Sequence, residues 1–169
     1  ILFSLSFLLA HCQVPCGIYD DAARIIHMEE DIQTIEKAML KIHELSDSDD
    51  MSSQDQNQLV RWINTKGQHA QKIQDTMAEY FLAQRIKPKN DSENGYDKYV
   101  LLTTQCQKII FQAMKTKQTV DQEWVEKLIK SSQGLSSPFR SVALRQSSTE
   151  AVYDLQTNEK EYLHEVVWA

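Results

Sequence analysis

Cysteine is rare in this 169-residue chain, which has only three, and no second pair of cysteines or histidines has the spacing of a zinc finger. A structural zinc site needs four closed ligands, so the sequence argues against one. No run alternates polar and apolar residues with a period of two, and no apolar run approaches the length that crosses a bilayer. We therefore expect neither β-strands nor a membrane span, and we expect a soluble protein.

Positive charge is also scarce, because 18 Lys and Arg residues stand against 24 Asp and Glu residues, for a net charge of −6. Nucleic-acid-binding domains usually present a basic face, so this balance argues against a nucleic-acid partner. An anionic substrate would gain nothing from the overall charge and would depend on Lys or Arg side chains close to its site, which the sequence does not identify. With 25% charged and 41% hydrophobic residues, the chain fits one globular domain with appendages.

A dense group of potential metal ligands stands near the start of the chain, in the sequence HCQVPCGIYD at residues 11–20. Residues 1–10, which precede it, resemble the apolar end of a targeting peptide or a propeptide, removed by a signal peptidase or a maturation protease. An uncleaved apolar N-terminus that packs on the domain is the alternative. Cleavage after Ala10 would make His11 the first residue. The compartment stays open, since a removed leader fits a secreted or an organellar protein.

Cleavage would give His11 two nitrogen donors, its α-amine and its imidazole. Cys12 would add a thiolate and its backbone amide nitrogen, and Cys16 would add a second thiolate. An amine, a deprotonated amide and two cis thiolates form a planar donor set, which Ni(II) or Cu(II) favours over Zn(II) or Mg(II). Pro15 fixes its own φ and Gly17 tolerates left-handed angles, so the backbone can hook around one ion. A local disulfide between the two cysteines is the competing interpretation.

The pattern His-Cys-x-x-Pro-Cys-Gly-x-Tyr in this segment resembles the nickel hook of the nickel-dependent superoxide dismutases, so we call residues 11–20 the nickel hook. The resemblance implies that His11, Cys12 and Cys16 hold one nickel ion per chain. It also implies a catalytic role for Tyr19, which would lie over the open face of the metal. There Tyr19 would limit access to small anions and orient substrate or water without binding nickel.

The activity that this resemblance implies is the conversion of two superoxide anions and two protons into dioxygen and hydrogen peroxide. Nickel would cycle between Ni(II) and Ni(III), because anionic thiolate and amide donors stabilise the higher oxidation state. The resemblance also implies a helical bundle and a homohexamer. The alternative function is a non-enzymatic helical metal-binding or interaction module whose N-terminus stays unprocessed.

Beyond the nickel hook, apolar residues recur at steps of three and four, which is typical of amphipathic helices. The spacing predicts helices over 21–45, 55–86, a third segment that ends near 117, and 120–132. Short polar links between them favour an all-α, antiparallel up-and-down four-helix bundle at 21–133. The residues expected to face its core are Ile25, Met28, Ile32, Ile35, Met39, Ile42, Leu59, Trp62, Ala70, Ile73, Met77, Tyr80, Tyr99, Leu102, Cys106, Ile109, Ala113, Val120, Trp124, Leu128 and Ile129.

The other residues that could cap a helix, react or bind a metal are assigned structural roles. Thr119 is predicted to cap the fourth helix and Gly134 to stop it. Cys106 is predicted to be a buried apolar thiol. His27 with Asp31, one turn apart, is the one histidine pair at a plausible spacing for a metal, and we expect the histidines to be solvated. The methionines expected to fill the core are Met28, Met39, Met77 and Met114.

The tail at 134–169 has a different composition, rich in serine at first and amphipathic near its end. It lies outside the resemblance. A short helix that docks on a neighbour, a disordered tail and a partner-binding segment are all compatible with it, so we assign it no function.

Overall fold

The computed structural model describes residues 19–136 and residue 139, and all regular secondary structure in these residues is helical. Four helices follow one another, and the second continues into a π-helical segment. The fold class predicted from the sequence is therefore confirmed, whereas the division of the chain into leader, hook, bundle and tail stays a prediction. The helices are α1 (Asp21–Ser46), α2 (Ser53–Asp75) with the π segment (Thr76–Arg85), α3 (Tyr96–Gln118), and α4, which covers 122–136.

Contacts between helix ends show that the helices run up and down in turn. A short connection joins α1 to α2, and these two helices pack against each other. The start of α1 meets the end of the π segment, where Asp21 pairs with Arg85. The end of α1 meets the connection between α3 and α4, where Nε2 of His43 lies 2.9 Å from the carbonyl oxygen of Val120. This is the antiparallel order that the short links predicted.

Helix α1 begins immediately after the nickel hook. The side chain of Asp20 accepts a hydrogen bond of 2.9 Å from the backbone N–H of Ala23, which satisfies one of the free donors at the helix start. Each apolar residue predicted for the inner face of α1 is buried, because steps of three and four place those residues on one side of the helix. These are Ile25, Met28, Ile32, Ile35, Met39 and Ile42.

Helix α2 begins at Ser53, two residues before the predicted start. The hydroxyl of Ser52 accepts a hydrogen bond from the backbone N–H of Asp55, and the Asp55 carboxylate accepts one from the backbone N–H of Ser52. This reciprocal capping box sets the boundary. At the other end, the backbone N–H of Ile86 donates to the carbonyl oxygen of Phe81 at 2.8 Å, which closes the wider π-type turn.

Helix α4 differs from its prediction at both ends. The carboxylate of Asp121 accepts a hydrogen bond of 3.0 Å from the N–H of Glu123, whereas the hydroxyl of Thr119 donates back into α3, so the predicted Thr119 cap is wrong. The predicted stop at Gly134 is also wrong, because α4 includes 134–136. A Cβ atom at Gly134 would lie 3.0 Å from Nε2 of Gln105. Close packing against α3 explains this glycine.

The core runs the length of the bundle between all four helices. Cys106 is fully buried, as predicted, and Val125 is buried on α4 although it was not predicted. Several residues expected in the core are only half-buried at its edge, because the helical stripe is wider than the surface that each neighbour covers. These are Leu59, Trp62, Tyr99, Leu102, Met114, Val120, Trp124 and Ile129. Among the described residues, no helix combines the length and the apolar character that a membrane span requires.

Candidate functional site

The three predicted metal ligands, His11, Cys12 and Cys16, lie outside the described residues, so their arrangement stays a prediction. Within residues 19–136 and 139, no cluster of three or more His, Cys, Asp or Glu side chains could hold a metal ion. The part of the predicted site that the structure does show is the point where the nickel hook joins the bundle.

Tyr19 is the first described residue, and its half-buried ring packs on the end of the second helix. The rings of Tyr19 and Tyr80 meet edge to face, with centroids 5.9 Å apart and an angle of 79° between their planes. The guanidinium carbon of Arg85 lies 4.5 Å from the centroid of the Tyr19 ring. Two side chains of the π segment therefore contact Tyr19, the residue that follows the predicted metal ligands in the sequence.

Asp21 links these two side chains. Its carboxylate accepts two hydrogen bonds of 2.7 Å from Arg85, one from Nε to Oδ1 and one from Nη2 to Oδ2. The hydroxyl of Tyr80 donates a third bond of 2.7 Å to Oδ1. Only 7% of the Asp21 side chain is exposed, and a buried carboxylate needs such partners to offset its lost hydration. The start of α1 adds the positive end of a helix dipole.

These contacts keep the Tyr80 hydroxyl and the Arg85 guanidinium protonated. Burial raises the pKa of the Tyr80 hydroxyl well above its ordinary value, and the hydrogen bond to Asp21 raises it further. The hydrogen bond to Asp21 is also the main cause that raises the pKa of the Arg85 guanidinium. Both donors therefore keep their protons, and the hydroxyl proton of Tyr80 is directed to the carboxylate.

Several cationic side chains lie near Tyr19 and Asp21, although the chain as a whole is acidic. The guanidinium carbon of Arg24 lies 5.2 Å from the centroid of the Tyr80 ring. A cavity of about 290 Å³ adjoins the Asp21 carboxylate, and Tyr99 and Phe139 form part of its apolar lining. Such cations can attract an anion that the net charge would repel. The cationic side chains that line the cavity are Arg85, Lys87, Lys89 and Lys98.

The sequence did not single out the residues that support Tyr19. Tyr80 was assigned to the core, and Arg85 and the lysines were not placed. One sequence feature pointed to this arrangement. Asp21 follows the Tyr19–Asp20 pair directly, and its carboxylate is buried at the start of α1. Its partner lies 64 residues away, so no local pattern could have identified it.

The histidine pair suggested by sequence spacing does not form. Asp31 on α1 lies 2.5 Å from Nδ1 of His69 on α2, and His27 is exposed. The buried Cys106 keeps its predicted inert character, because burial raises the pKa of its thiol to about 12. A thiol that stays protonated is a poor nucleophile and a poor metal ligand.

Comparison with known proteins gives one family. The family described as nickel-containing superoxide dismutase matches this chain over residues 7–142, which includes the nickel hook and the whole described bundle. No curated protein and no solved structure matches the chain.

Proposed function

Because the chain belongs to the nickel-containing superoxide dismutase family, we propose that residues 11–20 form its nickel hook after residues 1–10 have been removed. The enzyme is an oxidoreductase with a nickel cofactor, and its activity is the dismutation of superoxide. Membership of this family favours the enzyme over a non-enzymatic binding module.

The donors in the hook fit nickel by their chemistry. His11 would supply the α-amine and the imidazole, Cys12 its amide nitrogen and thiolate, and Cys16 the second thiolate. Nickel held by these donors supplies a one-electron couple between Ni(II) and Ni(III), because anionic sulfur and nitrogen donors stabilise the oxidised ion. The α-amine of His11 exists only when His11 is the first residue, so removal of residues 1–10 is part of the proposal.

The observation that carries the assignment of the protein residues is the docking of Tyr19 on Tyr80 and Arg85. Tyr19 comes three residues after the last proposed ligand, and Asp20 caps the helix that follows. The contacts of Tyr19 and Asp20 with the bundle thus support this assignment. We assign Tyr19 the task of orienting substrate or water with its hydroxyl and of limiting access to small anions.

The substrate is an anion, so its capture depends on local charge. Lys87 and Lys98 of the adjoining cavity provide positive charge next to the point where the hook joins the bundle, whereas the charge of Arg85 is paired with Asp21. Arg24 adds a further cation beside Tyr80. These side chains are our candidates for the local attraction that the overall charge of −6 does not provide.

The proposal has three further parts. The protein assembles as a homohexamer, its leader is removed by a signal peptidase or a maturation protease, and it is secreted or lies in an organelle. Large apolar side chains that remain exposed on three helices are compatible with association of several copies. Sedimentation of the nickel-loaded protein measures the assembly directly. The exposed side chains are Ile26, Leu40, Val60, Ile63, Val100, Leu101 and Phe111.

The decisive experiment compares two forms of the chain, one that begins at His11 and one that retains residues 1–10. Both are loaded with nickel, after which metal content and superoxide decay are measured. We expect the form that begins at His11 to hold one nickel ion per chain and to catalyse dismutation, and we expect the longer form to do neither. Full activity with the leader attached, confirmed by intact mass, would rule out ligation by the terminal amine.

A further inference from the structure

Arg85 lies between a buried carboxylate and the ring of Tyr19. One edge of its guanidinium, through Nε and Nη2, donates two hydrogen bonds of 2.7 Å to Asp21. Its guanidinium carbon lies 4.5 Å from the centroid of the Tyr19 ring. The same planar group therefore forms a bidentate ion pair and a cation–π contact.

The ion pair restricts where the guanidinium can lie. Two parallel hydrogen bonds fix both the position and the plane of the group, which a single point contact would not do. The Asp21 side chain is 7% exposed and the Arg85 side chain is 26% exposed, so water competes little for the carboxylate. Asp21 itself is held by the first turn of α1. The cation that faces Tyr19 is thus anchored to a rigid element.

The same carboxylate also controls the second neighbour of Tyr19. Oδ1 of Asp21 accepts the hydroxyl hydrogen of Tyr80 at 2.7 Å, and the Tyr80 ring meets the Tyr19 ring edge to face. One buried carboxylate therefore sets the orientation of Tyr80 and Arg85, which both contact the Tyr19 ring.

We propose that Asp21 and Arg85 are positioning residues that hold the Tyr19 ring in the orientation required for dismutation, a role that rests on the function proposed for Tyr19. Neither residue binds nickel or substrate in this role. Asp21 fixes Arg85 and Tyr80, and these two side chains fix the ring. The hydroxyl of Tyr19 is then held at a constant angle, without the reorientation that a free side chain would need.

A double-mutant cycle tests whether Arg85 acts through the Tyr19 hydroxyl. Arg85→Met and Arg85→Lys are made in the wild-type chain and in Tyr19→Phe, and exposed Arg61→Met on α2 is the matched control. The lysine variant keeps the charge but loses the planar fork. We expect both Arg85 variants to lose about tenfold in kcat with unchanged nickel content, since misplacement of a catalytic group commonly costs one to two orders of magnitude. In the Tyr19→Phe background we expect the further loss to be small.

A second readout needs neither nickel nor turnover. Hydroxyl-radical footprinting of the metal-free full chain, with oxidation assigned to single residues by tandem mass spectrometry, reports how exposed the Tyr19 ring is. We expect Tyr19 to be oxidised several times faster in both Arg85 variants and at the wild-type rate in Arg61→Met. Since Arg85→Met leaves a buried carboxylate without its cation, the double variant Asp21→Asn with Arg85→Met serves if the single variant fails to fold.

The outcomes separate the two proposals. Equal losses in the wild-type and Tyr19→Phe backgrounds would show that Arg85 acts as a charge or a structural support, and they would overturn the positioning role alone. An unchanged Tyr19 footprint in the Arg85 variants would overturn it as well. A wild-type chain that begins at His11, holds nickel and does not dismutate superoxide would overturn both proposals.

Discussion

The ammonium group of Lys66, in the middle of α2, donates a hydrogen bond of 2.9 Å to the backbone carbonyl of Thr119, just beyond the end of α3. It donates a second bond of 3.0 Å to the carbonyl of Lys117 and a third to that of Thr116. Lys66 is buried, and burial lowers the pKa of its ammonium group. A cation here satisfies carbonyl groups that the end of a helix leaves without partners.

We expect Lys66→Met to lower the free energy of unfolding by about 2 kcal/mol, because the apolar stem is kept while buried carbonyl oxygens lose their donor. Urea titration followed by circular dichroism measures the change. Lys108→Met, at an exposed position on α3, is the control and should change stability by less than about 0.5 kcal/mol. Equal effects of the two substitutions would contradict a capping role for Lys66.

Gly67→Ala should stabilise the protein by about 0.5–1 kcal/mol, because glycine inside a helix costs conformational entropy. A Cβ atom at Gly67 meets no heavy atom within 4 Å, so no clash offsets the gain. Gly95→Ala is the contrasting variant and should destabilise, since Gly95 has a φ of 85° before α3. Thermal unfolding of the two variants under one set of conditions decides between these opposite signs.

The cysteines should divide into two classes. Cys12→Ser and Cys16→Ser should abolish both nickel retention and dismutation, because each removes a proposed thiolate ligand. Cys106→Ser should keep both, since that thiol is buried on α3 and is not a proposed ligand. Metal analysis and superoxide decay on the same samples measure the two properties. Undiminished turnover in either hook variant would refute the ligand assignment.

Tyr19→Phe should bind nickel as the wild type does, because the phenol is not a proposed ligand and the ring keeps its contacts with Tyr80 and Arg85. Turnover should fall and inhibition by small anions should change, since the hydroxyl that we propose to orient substrate or water is lost. Steady-state kinetics with azide as the inhibitor tests this. Identical kinetics and identical inhibition would exclude a catalytic role for Tyr19.

Stability at alkaline pH should depend on Cys106. Burial raises the pKa of this thiol to about 12 in the folded protein, above the ordinary value of 9.0. The folded state then holds a proton that the unfolded state releases, so this contribution is complete below about pH 9 and declines as the pH rises towards 12. One such group changes the unfolding free energy by at most about 1.4 kcal/mol per pH unit.

Cys106→Ala should therefore give a shallower decline of stability between about pH 9 and pH 11 than the wild type shows. The slopes are compared, since the smaller side chain lowers stability at every pH. Tyr80, whose pKa is also raised by burial, adds a decline common to both proteins. Equal slopes would show that the Cys106 thiol is not held protonated by the fold.

Local patterns in the sequence determined the helices and the inner face of α1. Hydrophobic spacing needs only neighbours three or four positions apart, and every residue that it predicted for the inner face, from Ile25 to Ile42, is buried. The hook motif at 11–20 is equally local, since its proposed ligands lie within six residues. The family match over 7–142 spans both segments.

Tertiary packing alone decided which polar side chains meet. Asp21 and Arg85 are 64 residues apart, and Asp31 pairs with His69 across two helices at a separation of 38, in place of the nearby His27. Such pairs depend on the rotation and offset of one helix against another, which side-chain spacing within a helix does not specify. The sequence thus determined the helices and the candidate ligands. The packing of the bundle determined which side chains support Tyr19, because a buried charge pairs with the group that helix packing places beside it.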